Sequence, residues 1–427
     1  MEFLVLFVLP TVLLVIGVPI YAALFTAAVV GMLVLGLGSL TALHSALFGA
    51  LESFPLLAVP LFIFAGEIMA RGGIAQRLME LTLSMFGGIR GSLPLATIGS
   101  ASVFGAMSGS SVACVAAIGK LTLPTFEKGP YGRKFGVSLV SVTGVIDAII
   151  PPSIPMILYG ITAQASVPHL FLAGIVPGLL VAGMLAIYVV GRSYIKRIPP
   201  EPAASGSEVL YKLRRATWAL AAPVVILGGV YGGVFTPTEA AGVACIYSII
   251  VSVFIHREMN FQQLVDTILS SSKLVAQIMV VVAAAGTYSY VITTSGLPQK
   301  LLEIINALQL DQWMLLLVIN VVLLIVGSVL EPPGAILILM PLLVPVVTAA
   351  GVDLIHFGLI VTVNLAIGMF LPPLGLNLLA AHALFKVPLP ILYRGVVPFL
   401  VINLIALVLI TYIPAITLEP LRIMLGR

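Results

Sequence analysis

Apolar runs of about 20 residues, long enough to cross a bilayer as a helix, recur from one end of this 427-residue chain to the other. Residues 3–18, 20–37, 55–70, 169–191, 216–233, 238–255, 274–294 and 390–413 read as membrane spans. Residues 39–53 carry Ser39, His44, Ser45, Glu52 and Ser53, too polar for the bilayer core, and predict an amphipathic helix at the interface; Asn260 to Lys273 predicts a second. Two further runs, 133–165 and 357–385, are interrupted by Ile149-Ile150-Pro151-Pro152-Ser153-Ile154-Pro155 and by Phe370-Leu371-Pro372-Pro373-Leu374-Gly375-Leu376-Asn377. A Pro-Pro pair removes two backbone donors and pushes the preceding residue out of the helical region. The carbonyls so freed survive in a membrane only where protein buries them or a polar cavity meets them.

Basic residues gather at Arg71/Arg77/Arg90, at Lys128/Arg133/Lys134, and at Arg192/Lys196/Arg197 with Lys212/Arg214/Arg215. The positive-inside rule places these in the cytoplasm and both termini in the periplasm. Leu93 to Phe126 is then flanked by cytoplasmic charge on both sides, while its centre, Gly105-Ala106-Met107-Ser108-Gly109-Ser110-Ser111, is small and polar. A re-entrant helical hairpin over 93–126 explains both facts. Residues 313–349, centred on Gly327-Ser328-Val329-Leu330-Glu331-Pro332-Pro333-Gly334, predict a second hairpin. The polar stretch 193–215 reads as a cytoplasmic loop.

The second half echoes the first. Gly72-Gly73-Ile74-Ala75-Gln76-Arg77-Leu78 matches Ser295-Gly296-Leu297-Pro298-Gln299-Lys300-Leu301 at an offset of 223, and Pro124 to Pro151 repeats as Pro345 to Pro372 at 221. Val176-Pro177 answers Val397-Pro398. The halves start on opposite sides of the membrane, so the repeat is inverted, as in alternating-access carriers. The expected fold is an all-α polytopic membrane protein with two re-entrant hairpins and two broken helices. Scaffold helices and an amphipathic arm occupy 1–90 and 216–310. The hairpin and broken-helix units occupy 91–192 and 311–427, with the loop 193–215 between the halves.

Composition agrees: 60% of residues are hydrophobic, 8% are charged and the mean hydropathy is +1.21, against roughly a quarter charged in a soluble domain. The net charge of +4 belongs to the loops; without a basic run interleaved with aromatics, no nucleic-acid surface is expected. Cys114 and Cys245 lie in apolar runs and predict neither disulfide nor metal framework. The start Met1-Glu2-Phe3 lacks a basic n-region, so the first span is expected to persist.

A broken span leaves a carbonyl-rich helix end and a fresh N-terminus at mid-membrane, able to meet a cation and an anion respectively. Na⁺ takes hard oxygen ligands, which backbone carbonyls and Ser, Thr, Asn or Asp side chains supply. One cation site is therefore expected at Ser108, Gly109 and Ser110 with Gly144 and Asp147, and a second at Gly327 and Glu331 with Asn364 and Gly368. Ser111, Pro152, Ser153, Tyr159, Pro373 and Asn377 are the expected substrate contacts. No Lys or Arg lies at either tip or break, so helix N-termini near Ser153 and Leu374, hydroxyls and bound Na⁺ must balance an anionic substrate. Glu239, after Thr236-Pro237-Thr238, reads as a helix-start acid; His44, His169, His256 and His356 read as interfacial, and His382, deeper and just after Asn377, is a lesser candidate for the cavity. The Ser108-Gly109 pair invites an intramembrane protease, but Ala106 stands where that motif wants glycine. No Walker-type loop or His-Glu-x-x-His is present, so no enzyme, cofactor or transition metal is expected.

With Ala106-Met107-Ser108-Gly109-Ser110-Ser111, Pro151-Pro152-Ser153 with Tyr159-Gly160, Leu330-Glu331-Pro332 and Pro372-Pro373-Leu374-Gly375-Leu376-Asn377-Leu378, the whole chain resembles the large membrane subunit of a tripartite ATP-independent periplasmic (TRAP) transporter. The resemblance implies an elevator-type carrier of the bacterial inner membrane, driven by a Na⁺ gradient. It implies two partners, a small four-helix membrane subunit and a periplasmic substrate-binding protein, and an organic acid as substrate, either a C4-dicarboxylate or sialic acid. Many members have a small residue, commonly Gly, where this chain carries Asp147. An added carboxylate beside the first cation site would contribute a ligand or tune substrate choice, which favours sialic acid. The alternative is a stand-alone ion-coupled carboxylate carrier or antiporter that needs no binding protein.

Overall fold

The computed structural model describes residues 1–426, and among these it contains helices and turns without a strand. The first half runs through α1 (Leu4–Val15), α2 (Ile20–Leu35), α3 (Leu40–Leu51), α4 (Phe54–Arg71) and α5 (Ile74–Phe86). It continues with the hairpin α6 (Ser92–Ser108) and α7 (Ser111–Lys128), the pair α8 (Gly132–Ile149) and α9 (Ile154–Thr162), and α10 (Val167–Ile195). The second half follows the same order: α11 (Gly206–Tyr231), α12 (Pro237–Ile255), α13 (Phe261–Thr294) and α14 (Leu297–Ala307). Then come the hairpin α15 (Gln312–Gly327) and α16 (Pro332–Ala349), the pair α17 (Leu354–Gly368) and α18 (Leu376–Phe385), α19 (Leu389–Tyr412) and a terminal α20 (Ala415–Leu425). Among the described residues seven helices are long and apolar enough to cross a membrane, or up to eight if α8 and α9, bent by 42° at their break, count as one. Pro124 in α7 and Pro345 in α16 lie within helices at matching places, as do Pro177 in α10 and Pro398 in α19.

Several boundaries differ from expectation. Residues 74–86 and 297–307, given no element from the sequence, are helices; each has an apolar stripe with Arg or Lys and Glu on the other face, a pattern too polar for a span yet regular enough to pack. The loop 193–215 shrinks to 196–205, because α10 continues to Ile195 and Ser205 caps α11, its side chain accepting the Glu208 N–H at 3.2 Å. Lys212, Arg214 and Arg215 therefore sit on a helix. The second amphipathic arm is no separate element: Asn260 and Gln263 form a capping box, and α13 runs unbroken for 34 residues. Its first-half counterpart is interrupted between α3 and α4 at Glu52 and Ser53. Glu239 does close a capping box with Thr236. His356, in the first turn of α17, is buried in protein, with Nδ1 2.8 Å from Thr417 Oγ1 and Nε2 3.1 Å from the Thr411 carbonyl. Exposed His382 meets the Val387 carbonyl at 2.8 Å just past the end of α18.

The halves are interleaved. Helices α2 and α3 pack on α13, α4 on α12 and α5 on α11. Polar contacts also join the halves: Arg77 of α5 pairs with Glu258 just before α13 at 2.6 Å, Arg215 of α11 with Glu80 of α5 at 3.3 Å, and Arg71 of α4 donates to Ser270 Oγ of α13 at 3.1 Å. The hairpins cross over in the same way, α7 packing on α18 and α16 on α9.

Candidate functional site

At the first tip, Gly109 ends α6 in the left-handed conformation (φ 57°) and Ser110 caps α7, so the chain reverses within two residues. The bend lies against the first break, where a Cβ on Gly109 would come within 2.9 Å of the Pro152 carbonyl. Ser108 Oγ donates to Asp147 Oδ1 at 2.6 Å, and a Cβ on Gly105 would sit 2.6 Å from Asp147 Cα. A side chain at 105 would therefore prevent this approach of α6 to α8. From the other side α4 closes on the tip at Gly66, whose Cβ would fall 2.9 Å from Ser108 Cα. The other carboxylate oxygen, Asp147 Oδ2, is buried and has no hydrogen-bond partner. Ser153 caps α9, accepting the Met156 N–H at 3.4 Å, and its hydroxyl donates at 2.5 Å to Ala148 O, a carbonyl freed by the break.

The second tip repeats the close approach with different chemistry. A Cβ on Gly368 would overlap the Gly327 backbone, so α15 and α17 touch main chain to main chain. Shifted by the 221-residue repeat, Asp147 falls on Gly368, and the second half carries no carboxylate there. One turn earlier on α17, Asn364 is fully buried; its Nδ2 donates to Asn320 Oδ1 at 2.7 Å and to the Asn320 carbonyl at 3.1 Å, while its Oδ1 has no partner. Beyond Gly368 the chain turns repeatedly, and the Asn377 N–H returns to Met369 O at 2.7 Å.

The sites touch across the repeat. Asn377 Nδ2 donates to Ser111 Oγ at 2.7 Å and to Ser141 O at 3.1 Å. Gly144 leaves room for this contact, since a Cβ there would stand 2.7 Å from Asn377 Nδ2. Ser108, Gly109, Ser110, Ser111, Gly144, Asp147, Pro152, Ser153 and Asn377 thus gather at one place, and Gly327, Asn364 and Gly368 at another. Three expected residues stand apart. Glu331 begins α16 but is exposed, lining a cavity of about 890 Å³ with Pro19, Tyr21, Gln277 and Val281, because Pro332 and Pro333 start the helix facing α2 and α13. Tyr159 is buried and donates to Leu354 O at 2.7 Å, joining α9 to α17 away from the tips. Pro373 is exposed and its carbonyl accepts from Tyr393 at 2.5 Å. Asn320 is a site residue absent from the sequence-based expectation; a lone amide inside the apolar run of α15 was the available signal.

Buried polar atoms are nearly always satisfied. The buried oxygens without a partner include Asn403 Oδ1, Tyr231 Oη and Ser252 Oγ elsewhere. Among them Asp147 Oδ2 and Asn364 Oδ1 are the two beside a glycine contact between hairpin and broken helix, and both are acceptors of the type a small hard cation takes. The residues present fit Na⁺.

Comparison with known proteins extends this picture. The family model described as "Tripartite ATP-independent periplasmic transporter, DctM component" matches residues 6–416. The chain is 41% identical over 382 residues to the C4-dicarboxylate TRAP transporter large permease protein DctM of Pseudomonas aeruginosa, covering 89% of each. It is 39% identical over 404 residues to the isethionate TRAP transporter permease protein DctMQ of Oleidesulfovibrio alaskensis, spanning 94% of this chain and 64% of that longer protein. The Alcanivorax borkumensis YdaH transporter is similar in fold, with a TM-score of 0.60 at 16% identity over 91% of this chain and 89% of that one. Large permeases of this kind are transport proteins, not enzymes, and work with a small membrane subunit and a periplasmic binding protein. From residue 6 to residue 416 the chain belongs to the DctM family, the large membrane component of TRAP transporters.

Proposed function

We propose that this chain is the Na⁺-coupled membrane carrier of a binding-protein-dependent importer for a small organic acid. The observation that carries the reading is the pair of unpartnered buried oxygens, Asp147 Oδ2 and Asn364 Oδ1, one at each meeting of hairpin and broken helix. A cation at each would satisfy an acceptor that protein leaves bare and would bring positive charge into a region without Lys or Arg at either tip or break. The α9 N-terminus at Ser153 adds dipole stabilisation for an anion. C4-dicarboxylates come first as substrate, following the name of the Pseudomonas relative. Sialic acid comes second, because the Asp147 that favoured it is fully buried against Ser108, where a small ion fits and an organic substrate does not. In this reading both termini face the periplasm, the interleaved helices α2–α5 and α11–α13 form the scaffold, and the hairpin and broken-helix units move as an elevator against it.

The test is uptake of labelled succinate and labelled sialic acid into proteoliposomes holding this chain and its small membrane subunit, with the binding protein outside. Uptake should require both the binding protein and an inward Na⁺ gradient. Equal uptake without Na⁺ would overturn the coupling; uptake by this chain alone would favour a stand-alone carrier.

A further inference from the structure

We propose that Asn320 is a positioning residue that locks the Asn364 amide, so that its side-chain oxygen stands as a fixed cation ligand at the second hairpin. The inference rests on the reading of Asn364 as part of a cation site and assigns the residue that orients it.

An asparagine amide can be turned by half a revolution with little change in shape, exchanging oxygen for nitrogen. A ligand oxygen on such a group needs something that forbids the turn. Here the backbone carbonyl of Asn320 lies 3.1 Å from Asn364 Nδ2, and a carbonyl can only accept. Turning the Asn364 amide would set its oxygen against that carbonyl. The Asn320 side chain makes the same demand at 2.7 Å through Oδ1. Asn320 is in turn held by Thr411 of α19, whose Oγ1 accepts from Asn320 Nδ2 at 3.2 Å. Turning Asn320 would point its NH₂ at the NH₂ of Asn364. Asn320, Thr411 and Asn364 are 7%, 1% and 0% exposed, so the amide pair lies inside the protein, while Thr411 also lines a cavity of about 210 Å³ beside His356. Both hydrogens of the Asn364 amide are engaged by Asn320, and Oδ1 is left bare on the far side. The Thr411 backbone is fixed as well, its carbonyl lying 3.1 Å from Nε2 of buried His356. A polar chain thus runs from α19 through α15 to the ligand on α17.

The experiment measures Na⁺-dependent thermal stabilisation of the full chain purified with its small membrane subunit, which reports cation affinity without transport. Asn320→Leu keeps the volume but removes the side-chain acceptor. The Na⁺ concentration for half-maximal stabilisation should rise roughly fivefold, the effect of losing one hydrogen bond. Thr411→Val, nearly isosteric, should shift it in the same direction by less. In an Asn364→Ala background neither substitution should shift it further, because the oriented group is gone. The proposal is overturned if Asn364→Ala weakens Na⁺ stabilisation while Asn320→Leu and Thr411→Val leave it unchanged, or if the effects add. A wild-type protein with no Na⁺-dependent stabilisation overturns the cation reading as well, which separates the two failures. Should Asn320→Leu not fold, Thr411→Val with Asn364→Ala decides alone.

Discussion

Ser111 and Asn377, 266 residues apart in the chain, form a single polar contact: Asn377 Nδ2 donates to Ser111 Oγ at 2.7 Å, and that hydroxyl lies 3.1 Å from Oδ1. With the bond from Asn377 to Ser141 O, this fastens the first hairpin, the first broken helix and the half-helix after the second break at one point. Ser111→Ala leaves a buried amide short of a partner, which costs about 1–3 kcal/mol. Thermal melts should show the loss, and Asn377→Ala combined with it should cost less than the sum of the two.

Glycine contacts provide a second test. Gly105→Ala and Gly368→Ala place a methyl 2.6 Å from Asp147 Cα and closer still to the Gly327 carbonyl carbon, backbone atoms that cannot turn aside as a side chain can. Both should abolish or severely reduce uptake. Gly183→Ala, where a Cβ would meet nothing within 4 Å in the middle of α10, should be neutral or stabilise by up to about 1 kcal/mol.

Asp147→Asn keeps the shape of the side chain and its contact with Ser108 but removes the charge. Half-maximal Na⁺ stabilisation should move up by roughly tenfold or more, equivalent to about 1.4 kcal/mol. Ser108→Ala should move it less, since the carboxylate remains. Unchanged Na⁺ response in both would remove Asp147 from the cation site.

Thr236→Ala breaks the capping box at the start of α12, whose Thr236 N–H and hydroxyl both reach Glu239 Oε2 at 2.8 and 2.9 Å. The cost should be about 1 kcal/mol in stability. Uptake per folded molecule should stay at the wild-type level, because the box lies outside both tips.

Much of the molecule was legible in its sequence because membrane helices announce themselves by continuous apolar length, and Pro-Pro pairs mark where such length must be interrupted. The tip at Ser108–Ser111 could be read from its density of small and hydroxyl side chains. Helices α5 and α14 could not, since amphipathic segments beside basic loops look like linkers when hydropathy is the guide. The direction of Glu331 was equally hidden: position along the chain puts it at a tip, but the helix start at Pro332 decides which side it faces. Asn377 was placed near a break by its spacing, whereas its partner Ser111 belongs to the other half and no local pattern joins them. Asn320 matters through a hydrogen bond to another helix, and only packing reveals that.

The uninterrupted α13 is about 50 Å long at 1.5 Å per residue, well beyond the roughly 30 Å of a bilayer core. Its counterpart is cut at Glu52 and Ser53 into α3 and α4. One half of the repeat therefore carries a stiff girder and the other a jointed arm, so symmetry of sequence does not become symmetry of compliance. Reorienting α3 against α4 needs only rotation of the non-helical backbone at Glu52 and Ser53, whereas bending α13 would strain its helical hydrogen bonds.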